Sequence, residues 1–228
     1  MIDFLELPGE LRNKIYRYCF VLMDERSVKV RKSEKFSGTT INPLDATSQL
    51  LAVCRQVYTE AMPILYSENK FHFNKFDDLP CFRRVIGEKS AVCVTNIIIS
   101  QYWQSVDFQE LNITLFEPFL GLKKLCFKTY YHKLPPRISE LQPGTIVSAN
   151  SIFVELDSPH IDPVTAHWLI EKGLEVMIEV MFRVLRSGDQ RAACFHYYRL
   201  IPTPKTSELN SSQIGANYDL EFISVPIL

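Results

Sequence analysis

Histidine and cysteine are the side chains here best suited to bind a metal or to act as base or nucleophile, and each falls in a setting that does not serve that chemistry. His160 and His167 stand seven residues apart, with His160 ahead of the helix expected from Pro163, so they lack the i, i+4 spacing of a shared metal site. His72 in "FHF" and His196 in "CFHYY" alternate with aromatics as strand residues, without an acidic neighbour in sequence. Cys54 precedes Arg55, and a cation can lower a thiol pKa, but the surrounding "LLAVCRQVY" reads as a helix with Cys54 on its apolar face. Asp77 and Asp78 read as a helix cap rather than a catalytic pair. No phosphate-cradling G-x-x-x-x-G-K or G-x-G-x-x-G loop occurs, and no G-x-S-x-G elbow. The expectation is a protein with no catalytic residues, no metal and no cofactor.

The composition fits that expectation. Of 228 residues, 46% are hydrophobic and 22% charged, the balance of a globular chain with a real core. The net charge of -1 gives no general attraction to nucleic acid or anionic membrane. Fifteen Phe and ten Tyr predict an interior dominated by aromatic packing. Cys19, Cys54, Cys81, Cys93, Cys126 and Cys194 form no C-x-x-C pair and sit in apolar stretches, which predicts free thiols in a reducing compartment, cytoplasm or nucleus. "MIDFLELPGE" has neither a basic start nor a long apolar run, so no secretory signal is expected. No stretch reaches the roughly 18 apolar residues of a membrane helix. The sequons at Asn112 and Asn210 are then chance matches.

The elements that position these residues begin with a helix over 8–22. Pro8 suits the first helical position, and Leu11, Ile15, Cys19 and Leu22 recur at helical spacing as one stripe. An insertion at 23–43 follows, in which Val28 and Val30 alternate with charges as a short strand or hairpin. Residues 26–35 carry five cations against one Glu, read as a solvated loop face. A second helix is expected over 48–62, ended or kinked by Pro63. "KFHF" reads as a strand, and Asp77 or Asp78 starts a helix with Phe82, Val85 and Ile86 facing inward. Residues 1–76 are taken as a helical module and 77–228 as an α/β partner-binding region, α+β in class.

In the second region, strands are expected at 94–99, 122–128 and 151–156, with a helix at 106–119. V-x-x-I-x-I from Val94, L-x-x-L-x-F from Leu122 and A-x-x-I-x-V from Ala149 recur at 28 and 27 residues, within the roughly 20–29 of a leucine-rich repeat. Short parallel strands of that type are one reading; the alternation common to any buried strands is the other. Tyr130, Tyr131, His132 and Arg137 fall in the Pro-marked interval between two of these strands and are candidates for binding a protein partner. A long helix is expected from Pro163 to Arg186, stopped by Ser187-Gly188, and "ACFHYYRLI" and "YDLEFISV" close the chain as strands.

"FLELPGELRNKIYRYCF", followed after the insertion by "LLAVCRQVYTEAMPILYSENKFHF", resembles a large group of fungal F-box-like proteins. The resemblance covers about the first third of the chain, in two blocks that keep their order. It implies docking of this module on the Skp-type adaptor of a cullin–RING ubiquitin ligase, with the C-terminal region capturing a protein substrate. It gives Leu7, Pro8, Leu11 and Ile15 the adaptor-facing role, supported by Val53 and Cys54 from the second helix. The sequence departs from the family pattern in the 46-residue interval from Pro8 to Cys54 and in Val57-Tyr58 where a tryptophan often stands. The alternative is a stand-alone structural or protein-binding domain without an adaptor. A nucleic-acid regulator using the basic 26–35 patch ranks third, because no reading helix is recognisable.

Overall fold

The first helix, α1 (Gly9–Phe20), is shorter than the expected 8–22: Pro8 stands in extended conformation just outside it, as the N-cap, with its carbonyl accepting from Leu11 N and Arg12 N. This computed structural model describes residues 3–22, 27–32, 39–42, 49–100, 113–131, 142–148, 163–185, 191–202 and 218–224. The chain divides into two compact units, Met1–Ile99 with Thr114–Lys123, and Ser100–Ile113 with Lys124–Leu228. The class is α+β.

In the first unit a 3-10 turn (Phe4–Glu6) leads into α1, and an antiparallel pair, β1 (Val28–Lys32) and β2 (Thr39–Asn42), follows. Then come α2 (Arg55–Glu68), β3 (Lys70–Phe73), α3 (Asp78–Ile86), the single turn α4 (Glu88–Ala91) and β4 (Asn96–Ser100). The strand order is β2-β1-β3-β4, with β1–β3 and β3–β4 parallel. The hairpin expected in the insertion is thus present, but as part of the sheet: Val28 and Val30 are buried and pair with Phe71 and Phe73. This is also why a boundary at 76 does not hold. Cutting there would separate β3 from β4, whose Phe71 and Ile97 are register partners in one core.

Aromatic packing fills that core. Phe82 of α3 meets Phe71 at 5.1 Å, Phe73 at 5.2 Å and Phe119 at 6.4 Å, and Tyr66 stacks on Phe71 at 5.7 Å. Leu79 and Phe82 are the inward residues of α3; Val85, expected inward, is 50% exposed. Gly121 lies under Val92, where a Cβ would come within 2.3 Å of the Val92 carbonyl oxygen.

The second helix differs from expectation at both ends. A single helical turn at 49–51 stops before Cys54, which takes an extended conformation and caps α2, its Sγ accepting from Val57 N at 3.5 Å. The helix then runs through Pro63 to Glu68. Pro63 cannot donate to the Thr59 carbonyl, a loss of about 3 kcal/mol in a free helix. Burial of Ala61, Ile64, Leu65 and Tyr66 on both sides of it holds the helix together.

In the second unit the strands are β5 (Lys124–Tyr131), β6 (Ile146–Ser148), β7 (Glu175–Leu185), β8 (Arg191–Pro202) and β9 (Tyr218–Ser224), ordered β5-β7-β8-β9-β6. One helix, α5 (Pro163–Glu171), lies against β8 and β9. Among the described residues of this unit, β5–β7 is parallel and the pairs β7–β8, β8–β9 and β6–β9 are antiparallel. Leu125, Phe127, Val176, Ile178, Val180, Tyr198, Leu200, Leu220 and Phe222 form the buried side. Lys124–Glu175 and Lys128–Glu179, each a register pair, are ion pairs at 2.7 and 2.5 Å.

The expected long helix is therefore corrected: it ends at Glu171, and β7 occupies 175–185. Gly173 adopts φ +66, Gly173 N donates to Ile170 O and Leu174 N to Leu169 O, the paired closing bonds of a Schellman motif. Beyond it, Val176, Ile178 and Val180 are buried at a two-residue period. Residues 151–156 and 106–112, the first half of the expected helix 106–119, lie outside the described residues, so the repeat reading has only two of its strands here; in the second half Ile113–Leu115 form a 3-10 turn rather than an α-helix.

Candidate functional site

The two blocks that carry the family resemblance meet as α1 packed on α2. What joins them is polar. Arg12 of α1 forks onto the Glu60 carboxylate of α2, Nε to Oε2 at 2.8 Å and Nη2 to Oε1 at 2.7 Å. Tyr16 OH donates to Glu60 Oε2 at 3.1 Å and Gln56 Nε2 to Oε1 at 3.1 Å, so each carboxylate oxygen accepts twice. Hydrogen bonds from Arg12 and then Gln56 hold the Glu60 carboxyl at a pKa of about 2. Burial, then the bond to Glu60, pushes the Tyr16 hydroxyl above its ordinary value. Burial, then the nearby Tyr58, pushes Tyr66, deeper in α2, up to about 12.

This inner face of α1 is Arg12, Tyr16 and Phe20, spaced one turn apart, with Phe4 edge-on to Tyr16 at 5.8 Å. Leu11 and Ile15 of the apolar stripe point the other way: Leu11 is 45% exposed and Ile15 37%, and Tyr18 beside them is 77% exposed. Three-residue and four-residue steps put these three on one outer strip. Lys14, also exposed, borders it. Leu7 is half-buried and Pro8 exposed. Val53, in the turn ahead of α2, is 66% exposed, and Cys54 is half-buried near Tyr16. Of the six adaptor-facing candidates, Leu11 and Ile15 thus lie on α1's outer strip, Pro8 precedes α1, Val53 and Cys54 precede α2, and the Leu7 carbonyl accepts from Arg12.

Two residues of the second candidate cluster belong to a strand. Tyr130 and Tyr131 are the last residues of β5, aligned with Met181 and Phe182 of β7. The eight-residue parallel pairing extends the strand beyond the expected 128 and carries both tyrosines into the sheet. His132 and Arg137 lie outside the described residues.

Sequence reasoning missed Arg12, Glu60 and Asn69. Their signal lay inside the matched blocks, as a cation in the first, a carboxylate in the second and an Asn closing "YSEN". Cys19, Cys54, Cys81, Cys93 and Cys126 are free thiols. Among the described residues no three His, Cys, Asp or Glu side chains gather as metal ligands, and no helix is long and apolar enough to cross a membrane.

A family model described as Domain of unknown function (DUF7730) matches residues 21–105. That stretch begins at the end of α1 and takes in β1 to β4 with α2, α3 and α4. No curated protein and no solved structure matches the chain.

Proposed function

We propose that this protein is a non-catalytic, F-box-like interaction module, cytoplasmic or nuclear, whose α1 docks on a Skp-type adaptor of a cullin–RING ubiquitin ligase. The observation that carries this reading is the outer strip of Leu11, Ile15 and Tyr18, apolar side chains left uncovered on a helix already fully anchored by its other face. A helix with one face anchored and the other apolar is a helix-in-groove ligand. Lys14, exposed beside the strip, suits a groove with an acidic rim. In this reading the second unit, with Tyr130, Tyr131, His132 and Arg137, serves substrate capture.

The test is co-expression with a Skp-type adaptor and pull-down through either chain, repeated with a Leu11→Asp, Ile15→Asp double variant. Retention of the adaptor by the wild-type chain and its loss in the folded double variant is the expected result. No retention by the wild-type chain removes the reading.

One observation favours the alternative, a stand-alone protein-binding domain. The 23–43 insertion is not an appendage of a helical module, because β1 lies inside the first sheet between β2 and β3. The helices thus share their core with a sheet.

A further inference from the structure

The residues ahead of α1 have little of their own to hold them. Glu6 N donates to Asp3 O at 3.1 Å, Leu7 N to Phe4 O at 3.3 Å, and Leu5 N to Asp3 Oδ1 at 3.0 Å, the bonds of one short turn. An isolated turn of this length is not stable in water. Phe4 packs edge-on to Tyr16 at 5.8 Å, while Leu5 is 37% exposed. Beside that ring contact, Arg12 reaches the backbone of this segment from α1. Its Nη1 donates to the Leu5 carbonyl at 3.0 Å and to the Leu7 carbonyl, while its other two nitrogens hold Glu60. The guanidinium side chain is only 12% exposed, and Tyr16 and Gln56 lock the carboxylate it grips. One planar group therefore ties three pieces of chain together: the lead-in segment, α1 and α2.

We propose that Arg12, aligned by Glu60, is a positioning residue that clamps Leu5–Pro8 into a preformed extension of the Leu11–Ile15 strip. Its consequence for affinity rests on the docking reading above; the clamp itself does not. A free lead-in would have to be ordered on binding, and apparent affinity would fall by the fraction of time it is correctly placed. Arginine is needed because four of its donors are used in two directions from one rigid plane. A lysine ammonium, on a flexible stem, cannot hold a carboxylate fork and two carbonyls at once.

The test uses the full chain, with Arg12→Lys as the main variant and Glu60→Gln as the milder one should the first fail to fold. Amide hydrogen exchange is followed at Leu5, Glu6 and Leu7 and, for comparison, in the last turns of α1 and α2. Adaptor association and dissociation rates are measured alongside. Exchange at residues 5–7 is expected to accelerate at least tenfold while the helix ends keep their protection, and association is expected to slow about fivefold with dissociation changed less. Unchanged exchange at 5–7 overturns the clamp. So does acceleration spread equally over both helices, since Arg12 would then be a general stabiliser; a freed segment with unaltered association overturns the segment's part in docking. If the wild-type chain binds no adaptor, the docking reading fails by itself, and exchange still decides the clamp.

Discussion

Asn69 closes two helices at once: its Nδ2 donates to Phe20 O at the end of α1 and to Leu65 O near the end of α2, both at 2.8 Å. Its Oδ1 accepts from Leu22 N at 3.0 Å, so the chain leaving α1 is held by the residue that ends α2. The side chain is buried, and an amide is the one group of this size able to donate twice and accept once here. Asn69→Ala is expected to lower stability by about 1–3 kcal/mol for each group left unpaired. A fall in the urea midpoint with an unchanged slope would show it. Asn69→Asp keeps the acceptor, loses both donated bonds and is expected to fall short of wild type as well.

Acid should act on Glu60 in a defined range. Its folded pKa, about 2, lies below the ordinary 4.5, so its stabilising contribution is complete above about pH 4.5 and fades as pH falls toward 2. Glu60→Gln should lose stability at neutral pH and show a flatter profile over that range. Parallel profiles for variant and wild type would place the acid sensitivity in other carboxylates.

Stability and docking should separate along α1. Ile15→Asp, on the outer strip, is expected to change stability by no more than about 1 kcal/mol, near the range of surface substitutions. Phe20→Ala, on the buried face, should cost about 3–5 kcal/mol. Thermal unfolding of the two variants checks the contrast, and equal losses would mean that Ile15 is a core residue.

Gly121 has no room for a side chain. A Cβ there would stand 2.3 Å from the Val92 carbonyl oxygen, which is backbone and cannot swing aside. Gly121→Ala is expected to destabilise the first unit by about 1–3 kcal/mol, the usual range for overpacking. A melting temperature equal to wild type would refute it.

Much of this fold was legible along the chain because its signals are local. Pro8 marked the start of α1, alternation marked "KFHF", "LKKLCFK" and the last two strands, and Val28 with Val30 marked the hairpin. The correct class, α+β, followed from those elements. The stretch from Glu175 to Leu185 shows where local signals conflict. Its apolar residues satisfy a helical and a two-residue period alike, and β5 and β8 on either side select the strand. Gly173 was the available local sign of that break, since its positive φ stops the helix two residues before β7 begins.

The sequence by itself determined that α1 exists, that it is amphipathic and that two separated blocks belong to one arrangement. Which face of α1 turns inward was decided only by tertiary structure. Leu11 and Ile15 are the more apolar pair, yet Arg12 and Tyr16 go inside because Glu60, 48 residues beyond Arg12, offers them a carboxylate. Periodicity reports that a helix has two unlike faces. It carries no information about a partner brought close by the chain's return, and an inward-facing arginine is tolerated only where that partner stands.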